Sequence, residues 1–84
     1  MLYMISYDLL NHATFGQYET LIAAIRNLGG QRVLLSQWVM RRNETAVVLR
    51  DHLRPFIHAN DRLLVTEITV NWAGCNLLIR LADV

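Results

Sequence analysis

Asp8 closes an apolar, β-rich stretch, Leu2 to Leu9. A carboxylate at the carboxyl end of a strand stands where α/β sheets often place ligands. Two such carboxylates could hold one Mg²⁺, a hard cation that takes oxygen ligands and keeps waters for a phosphodiester. One carboxylate per chain is a weak hydrolytic site, and no second acid lies near Asp8 in sequence. The plainer role is local: Asp8 can cap the polar connection Asn11 to Thr14 by hydrogen bonds. Both roles stay open at this level.

The cations form a second set. All eight basic residues are arginine. Arginine's planar fork suits bidentate phosphate or carboxylate contacts, although a GC-rich genome yields the same bias. Arg26, Arg32, Arg41, Arg42, Arg50, Arg54 and Arg62 could contact phosphates and position a duplex without reading its bases. Glu44, Asp51, Asp61 and Glu67 are interspersed among them, the pattern of a solvated face with weak ion pairs. The histidines, His12, His52 and His58, lack the spacing of a zinc site. His12 follows Asp8 by four residues and could serve as an acid or base, or simply be exposed. Cys75 has no sequence-local base and reads as a packed thiol. Trp38 and Trp72 could stack bases, but packing is the commoner use of tryptophan. Gly29-Gly30 ends a helix and does not open one, so it is no phosphate loop.

These residues need elements to position them. Leu2 to Leu9 reads as a central strand, apolar on both faces. Thr14 and Gln17 make a capping-box pattern. Phe15, Tyr18, Leu21, Ile22, Ile25 and Leu28 then recur at helical spacing until Gly29-Gly30. Gln31 to Met40 reads as two short strands broken at Ser36-Gln37, and Arg41-Arg42-Asn43 as a turn with Asn43 as cap. A second helix runs from about Glu44 to about Leu53, with Val48, Leu49, Leu53 and Phe56 inward, and Pro55 ends it. Arg62 to Val70 is a further strand, Asn71 to Gly74 a turn, and Asn76 to Leu81 a short final strand.

The order β-α-β-β-α-β predicts an α+β ferredoxin-like sandwich: an antiparallel sheet with two helices on one face and an extra C-terminal strand on an edge. Residues 1–84 make one domain. The chain is 54% apolar with a mean hydropathy of +0.24. So small a domain must expose part of that material, and a subunit interface is the simplest place for it. Tyr3, Ile5, Tyr7 and the strand around Trp38 are expected to bury against a second copy, giving a two-fold homodimer. No apolar run approaches the roughly 20 residues that span a bilayer, and no basic n-region of a signal peptide precedes one. A lone cysteine implies no oxidising compartment, so the cytoplasm is expected. The net charge of +1 excludes a strong general field for polyanions.

Two stretches resemble a known family. Leu2-Tyr3-Met4-Ile5-Ser6-Tyr7-Asp8-Leu9 is similar to the first strand of the CRISPR-associated Cas-two family, the small spacer-acquisition protein. Gly30-Gln31-Arg32-Val33-Leu34-Leu35-Ser36-Gln37-Trp38-Val39 resembles that family's second signature, Gly-x-Arg-Val followed by serine and an aromatic strand. The order of elements agrees over about residues 1 to 70. The resemblance implies a ferredoxin-like homodimer that is either a metal-dependent nuclease on RNA or DNA or a non-catalytic bridge beside a spacer integrase. It assigns Asp8 to the metal, with the two Asp8 side chains approaching across the dimer axis. Two features depart from the pattern. Leu9 to Phe15 lacks the family's basic residues after the aspartate, and the chain continues past Val70 with Asn71-Trp72-Ala73-Gly74.

The resulting expectation is a Cas-two-like dimer that binds nucleic acid through Arg32, Arg41 and Arg42, or acts as a scaffold, with Mg²⁺-dependent phosphodiesterase chemistry at paired Asp8. The alternative is a ferredoxin-like interaction module with no nucleic-acid role. A toxin-like ribonuclease of similar fold is a third reading.

Overall fold

A computed structural model describes residues 1–10 and 15–84, with side chains from residue 18 onward in the first helix. The strands are β1 (Leu2–Asp8), β2 (Gln31–Leu34), β3 (Gln37–Arg41) and β4 (Arg62–Ile68). The helices are α1 (Phe15–Asn27) and α2 (Ala46–Leu53), the second followed by a 3₁₀ turn at Arg54–Phe56. The sheet runs β2-β3-β1-β4, and every neighbouring pair is antiparallel. The result is a small α+β domain in which β1 is central.

Side chains alternate across a strand, so β1 presents two different faces. Tyr3, Ile5 and Tyr7 point toward the helices and are buried with Trp38 and Met40 of β3. Leu21, Ala24 and Ile25 of α1 and Leu49 and Leu53 of α2 close that core. Both helices therefore cover one face, as the order of elements predicts. Two polar groups of this core are paired: the Trp38 indole N–H donates to the Tyr7 hydroxyl at 3.1 Å, and the Tyr3 hydroxyl donates to the Glu44 carbonyl at 2.7 Å.

The expectation that Tyr3, Ile5, Tyr7 and Trp38 bury against a second copy is thus corrected. The helices already occupy that side. The other face is lined by Leu2 and Met4, with Val33, Val39 and Ile68. Residues 77–84 lie across part of it, where Leu77, Ile79, Leu81 and Val84 pack. This segment is not the expected final strand. It touches the sheet edge through one backbone bond, Leu78 N–H to the Val33 carbonyl at 3.0 Å, and ends in a 3₁₀ turn at Leu81–Asp83. Its apolar side chains are drawn onto the sheet face, and the backbone follows them there instead of pairing along the edge.

Helix ends explain smaller differences. α1 ends in a Schellman motif: Gly29 N–H bonds the Arg26 carbonyl, and Gly30 N–H bonds the Ile25 carbonyl, each at 2.9 Å. Gly29 has φ +87°, and a Cβ on Gly30 would press on the Ile25 side chain and lie 2.8 Å from the Ile25 carbonyl oxygen. Thr45, not Asn43, caps α2, its hydroxyl accepting from Val48 N–H at 3.3 Å. Starting the helix at Ala46 turns Leu49 and Leu53 inward and leaves Val48 51% exposed, contrary to the expected stripe. β4 stops at Ile68, two residues early, and β3 extends through Arg41 into the expected turn. The expected Thr14–Gln17 capping box and the Asn11 to Thr14 connection fall outside the described residues and side chains.

Candidate functional site

Asp8 ends β1 on the face turned away from the helices, alternating with Leu2, Met4 and Ser6. It lies opposite Arg62 of β4, with Oδ2 3.8 Å from Nη1. Both side chains are about 70% exposed, at 69% and 71%, so this is a screened surface pair. Ser6, on the same face, accepts a hydrogen bond from Gln37 at 3.0 Å. Leu64, opposite Ser6, is 61% exposed. The uncovered part of the sheet is therefore polar around Asp8 and apolar around Leu64.

A groove of ≈ 430 Å³ lies beside it, lined by Met4, Val33, Leu34 and Ile68 below and by Trp72 and Leu77 above. Trp72 remains 45% exposed and Val70 98% exposed. Cys75 is exposed and not the packed thiol its sequence context suggests.

Leu10, two residues after β1, is held by Asp61. Asp61 accepts from Leu10 N–H at 2.8 Å through one oxygen and from His58 N–H at 2.9 Å through the other. Whether Asp8 also bonds within Asn11 to Thr14 lies outside the described residues, as does His12. His52 is exposed and packs its ring at a tilt against Phe56, with centroids 6.4 Å apart.

The three arginines assigned to nucleic acid do not converge. Arg32 lies opposite Trp38 on the helix side of β2. Arg41 pairs with Leu2 and turns to the other face, donating from Nε and Nη2 to the Val84 carbonyl oxygen at 3.0 and 2.9 Å. Arg42 forks onto Glu44, with a shortest contact of 2.6 Å, and also donates to the Leu28 carbonyl. Its guanidinium holds the Glu44 carboxyl below the usual glutamate range, mainly through that hydrogen bond. Arg41 and Arg42 thus share one end of β3, and both already have partners inside the protomer.

A cluster that sequence spacing did not reveal gathers around Trp38. Arg32 stacks over its ring at 4.7 Å from the centroid, and Arg26 of α1 lies at 5.4 Å. Arg32 donates to the Tyr18 hydroxyl at 3.3 Å, and Tyr18 meets Tyr7 edge-on at 6.3 Å. Burial pushes the Tyr7 phenol above its ordinary range, and the indole N–H donated to its oxygen offsets part of that rise. The irregularity between Arg32 and Leu34 sets the register that pairs Arg32 with Trp38. No spacing rule in the sequence reports such a bulge.

Among the described residues no three His, Cys, Asp or Glu side chains come together. Asp8 instead faces a guanidinium, which opposes a bound cation. Among the described residues no helix is long and apolar enough to cross a membrane.

No family model matches the chain. Its fold is similar to that of a hypothetical protein, TT1823 from Thermus thermophilus, known from a crystal structure. The TM-score is 0.67 and the identity 23%, over 87% of this chain and 89% of that one.

Proposed function

We propose that this chain is a ferredoxin-like protomer of a Cas-two-like homodimer, serving in the cytoplasm as a scaffold that associates with nucleic acid beside a spacer integrase. The observation that carries the dimer is the incompletely covered sheet face, with Leu64 exposed beside Ser6 and Asp8. A copy related by a two-fold axis would cover this face and bring the two Asp8 side chains toward each other.

The site's chemistry favours a scaffold over a nuclease. One exposed carboxylate paired with Arg62 cannot by itself bind a metal and activate water. A Mg²⁺-dependent nuclease is the second reading. It is favoured by the position of Asp8 on the face that a partner would cover, where a two-fold axis brings a second Asp8 carboxylate toward the first. Nucleic-acid contacts fall to Arg41 and Arg42 at one end of β3, and to Arg32, with phosphates exchanging for their present partners. Such contacts are independent of base sequence and weaken steeply with salt.

The test joins mass to binding. Sedimentation should give about twice the 9.7 kDa chain mass. Unrelated oligonucleotides of one length should bind alike, lose affinity together as salt rises, and lose it again in Arg41→Ala or Arg42→Ala. A monomer at micromolar concentration removes the dimer. A dimer that binds no oligonucleotide at low salt leaves a protein-interaction module.

A further inference from the structure

We propose that Arg26, Arg32 and the Tyr18 hydroxyl form a binding site for a single phosphate group, set against the Trp38 indole. The site lies on the helix side of the sheet and stands independently of the dimer reading.

Both guanidinium carbons lie within 5.4 Å of the same ring centroid, so both charges stand against one indole. Among the described residues the ion pairs belong to Arg42, Arg50, Arg62 and Arg80; neither Arg26 nor Arg32 has an acid partner. Two like charges on one indole without a counter-ion repel, and an anion bound by both relieves that repulsion. The Arg32 Nε–H is buried and makes no hydrogen bond. A buried donor left unpaired is costly and rare, and it marks a place where an acceptor belongs.

The remaining geometry suits a phosphate. A guanidinium stacked on a ring keeps its N–H groups in its own plane, directed past the ring edge. Arg32 is anchored at Nη2 by the Tyr18 hydroxyl, which accepts there and retains its own proton to donate. The Trp38 N–H is spent on Tyr7, so the indole supplies a flat wall and no competing donor. Two full positive charges and several donors match a phosphate dianion, whereas a carboxylate would neutralise only one of them. The same chemistry is offered by inorganic phosphate and by the terminal phosphate of an oligonucleotide.

Trp38 reports on the site directly. The chain has two tryptophans, so Trp72→Phe, at a position 45% exposed and remote from α1, isolates the Trp38 emission. Titrating that variant with inorganic phosphate at constant ionic strength should give a saturable emission change with a millimolar dissociation constant. Arg26→Gln, at an exposed helix position, should weaken binding by about tenfold or more. Arg32→Gln should abolish it. If Arg32→Gln fails to fold, Arg26→Gln alone carries the comparison. Displacement by a 5′-phosphorylated oligonucleotide but not by its 5′-hydroxyl form assigns the site to a terminal phosphate. Displacement by neither assigns it to the free ion, and displacement by both assigns it to internal phosphodiesters. No saturable response in the folded protein, or an unchanged constant in Arg26→Gln, overturns the proposal. Oligonucleotide binding that survives that result would leave the scaffold reading intact.

Discussion

Replacing Leu64 should split the proposed dimer without harming the protomer. Full burial of a leucine side chain contributes roughly 1.5–3 kcal/mol. In the protomer Leu64 keeps 61% of its surface exposed, so covering the rest yields about 1–2 kcal/mol from each copy. Two-fold symmetry counts that gain twice, giving about 2–4 kcal/mol per dimer. Leu64→Ala should therefore raise the dimer dissociation constant by between about thirtyfold and a thousandfold. Leu64→Arg should do more, because it also places two like charges against each other at the interface. Sedimentation equilibrium over nanomolar to micromolar protein measures both constants. Circular dichroism at concentrations where each protein is monomeric should show the fold and the monomer's melting unchanged, since the exposed side chain contributes little to the protomer core. An association constant unchanged in Leu64→Arg would refute the assignment of this face.

Asp8→Ala should alter stability by no more than about 1 kcal/mol, because it removes the exposed pair with Arg62; on the scaffold reading Mg²⁺ should shift its thermal melt and that of wild type equally. A melting gain specific to wild type would instead establish the paired-Asp8 metal centre, since a ligand at a hundred times its dissociation constant stabilises by about 2.7 kcal/mol. Tyr7→Phe should cost about 1–3 kcal/mol in urea unfolding, because it strands the buried Trp38 N–H. Glu44→Gln tests the Arg42 pair by pH. The folded carboxyl is held below its ordinary value, so the pair stabilises above the unfolded pKa and is lost as pH falls through the folded one. The melting difference between wild type and Glu44→Gln should accordingly shrink on acidification, and a difference that grew would contradict the ion-pair assignment.

The order of elements was legible from the residues. Helical spacing from Tyr18 to Leu28, the Gly29-Gly30 stop and the alternation of β1 are local patterns set by backbone geometry. They place Asp8 at the end of a central strand. Local pattern could not say which face of β1 turns toward the helices. Both faces carry apolar residues, and the choice depends on which one α1 and α2 can reach, a matter of packing over long sequence separation. Tyr3, Ile5 and Tyr7 went to the helices; Met4, Ser6 and Asp8 were left facing the other way. The fate of residues 77–84 was likewise tertiary: Leu77, Ile79 and Leu81 are a plausible strand in isolation, but burying them on the Val33–Val39 surface required leaving the sheet edge. The Arg26–Trp38–Arg32 cluster shows the same limit. Its members come from a helix and two strands, and a bulge in β2 fixes their register. Residue types set what chemistry the chain carries, while the bulge and the layer packing decide which of those residues meet.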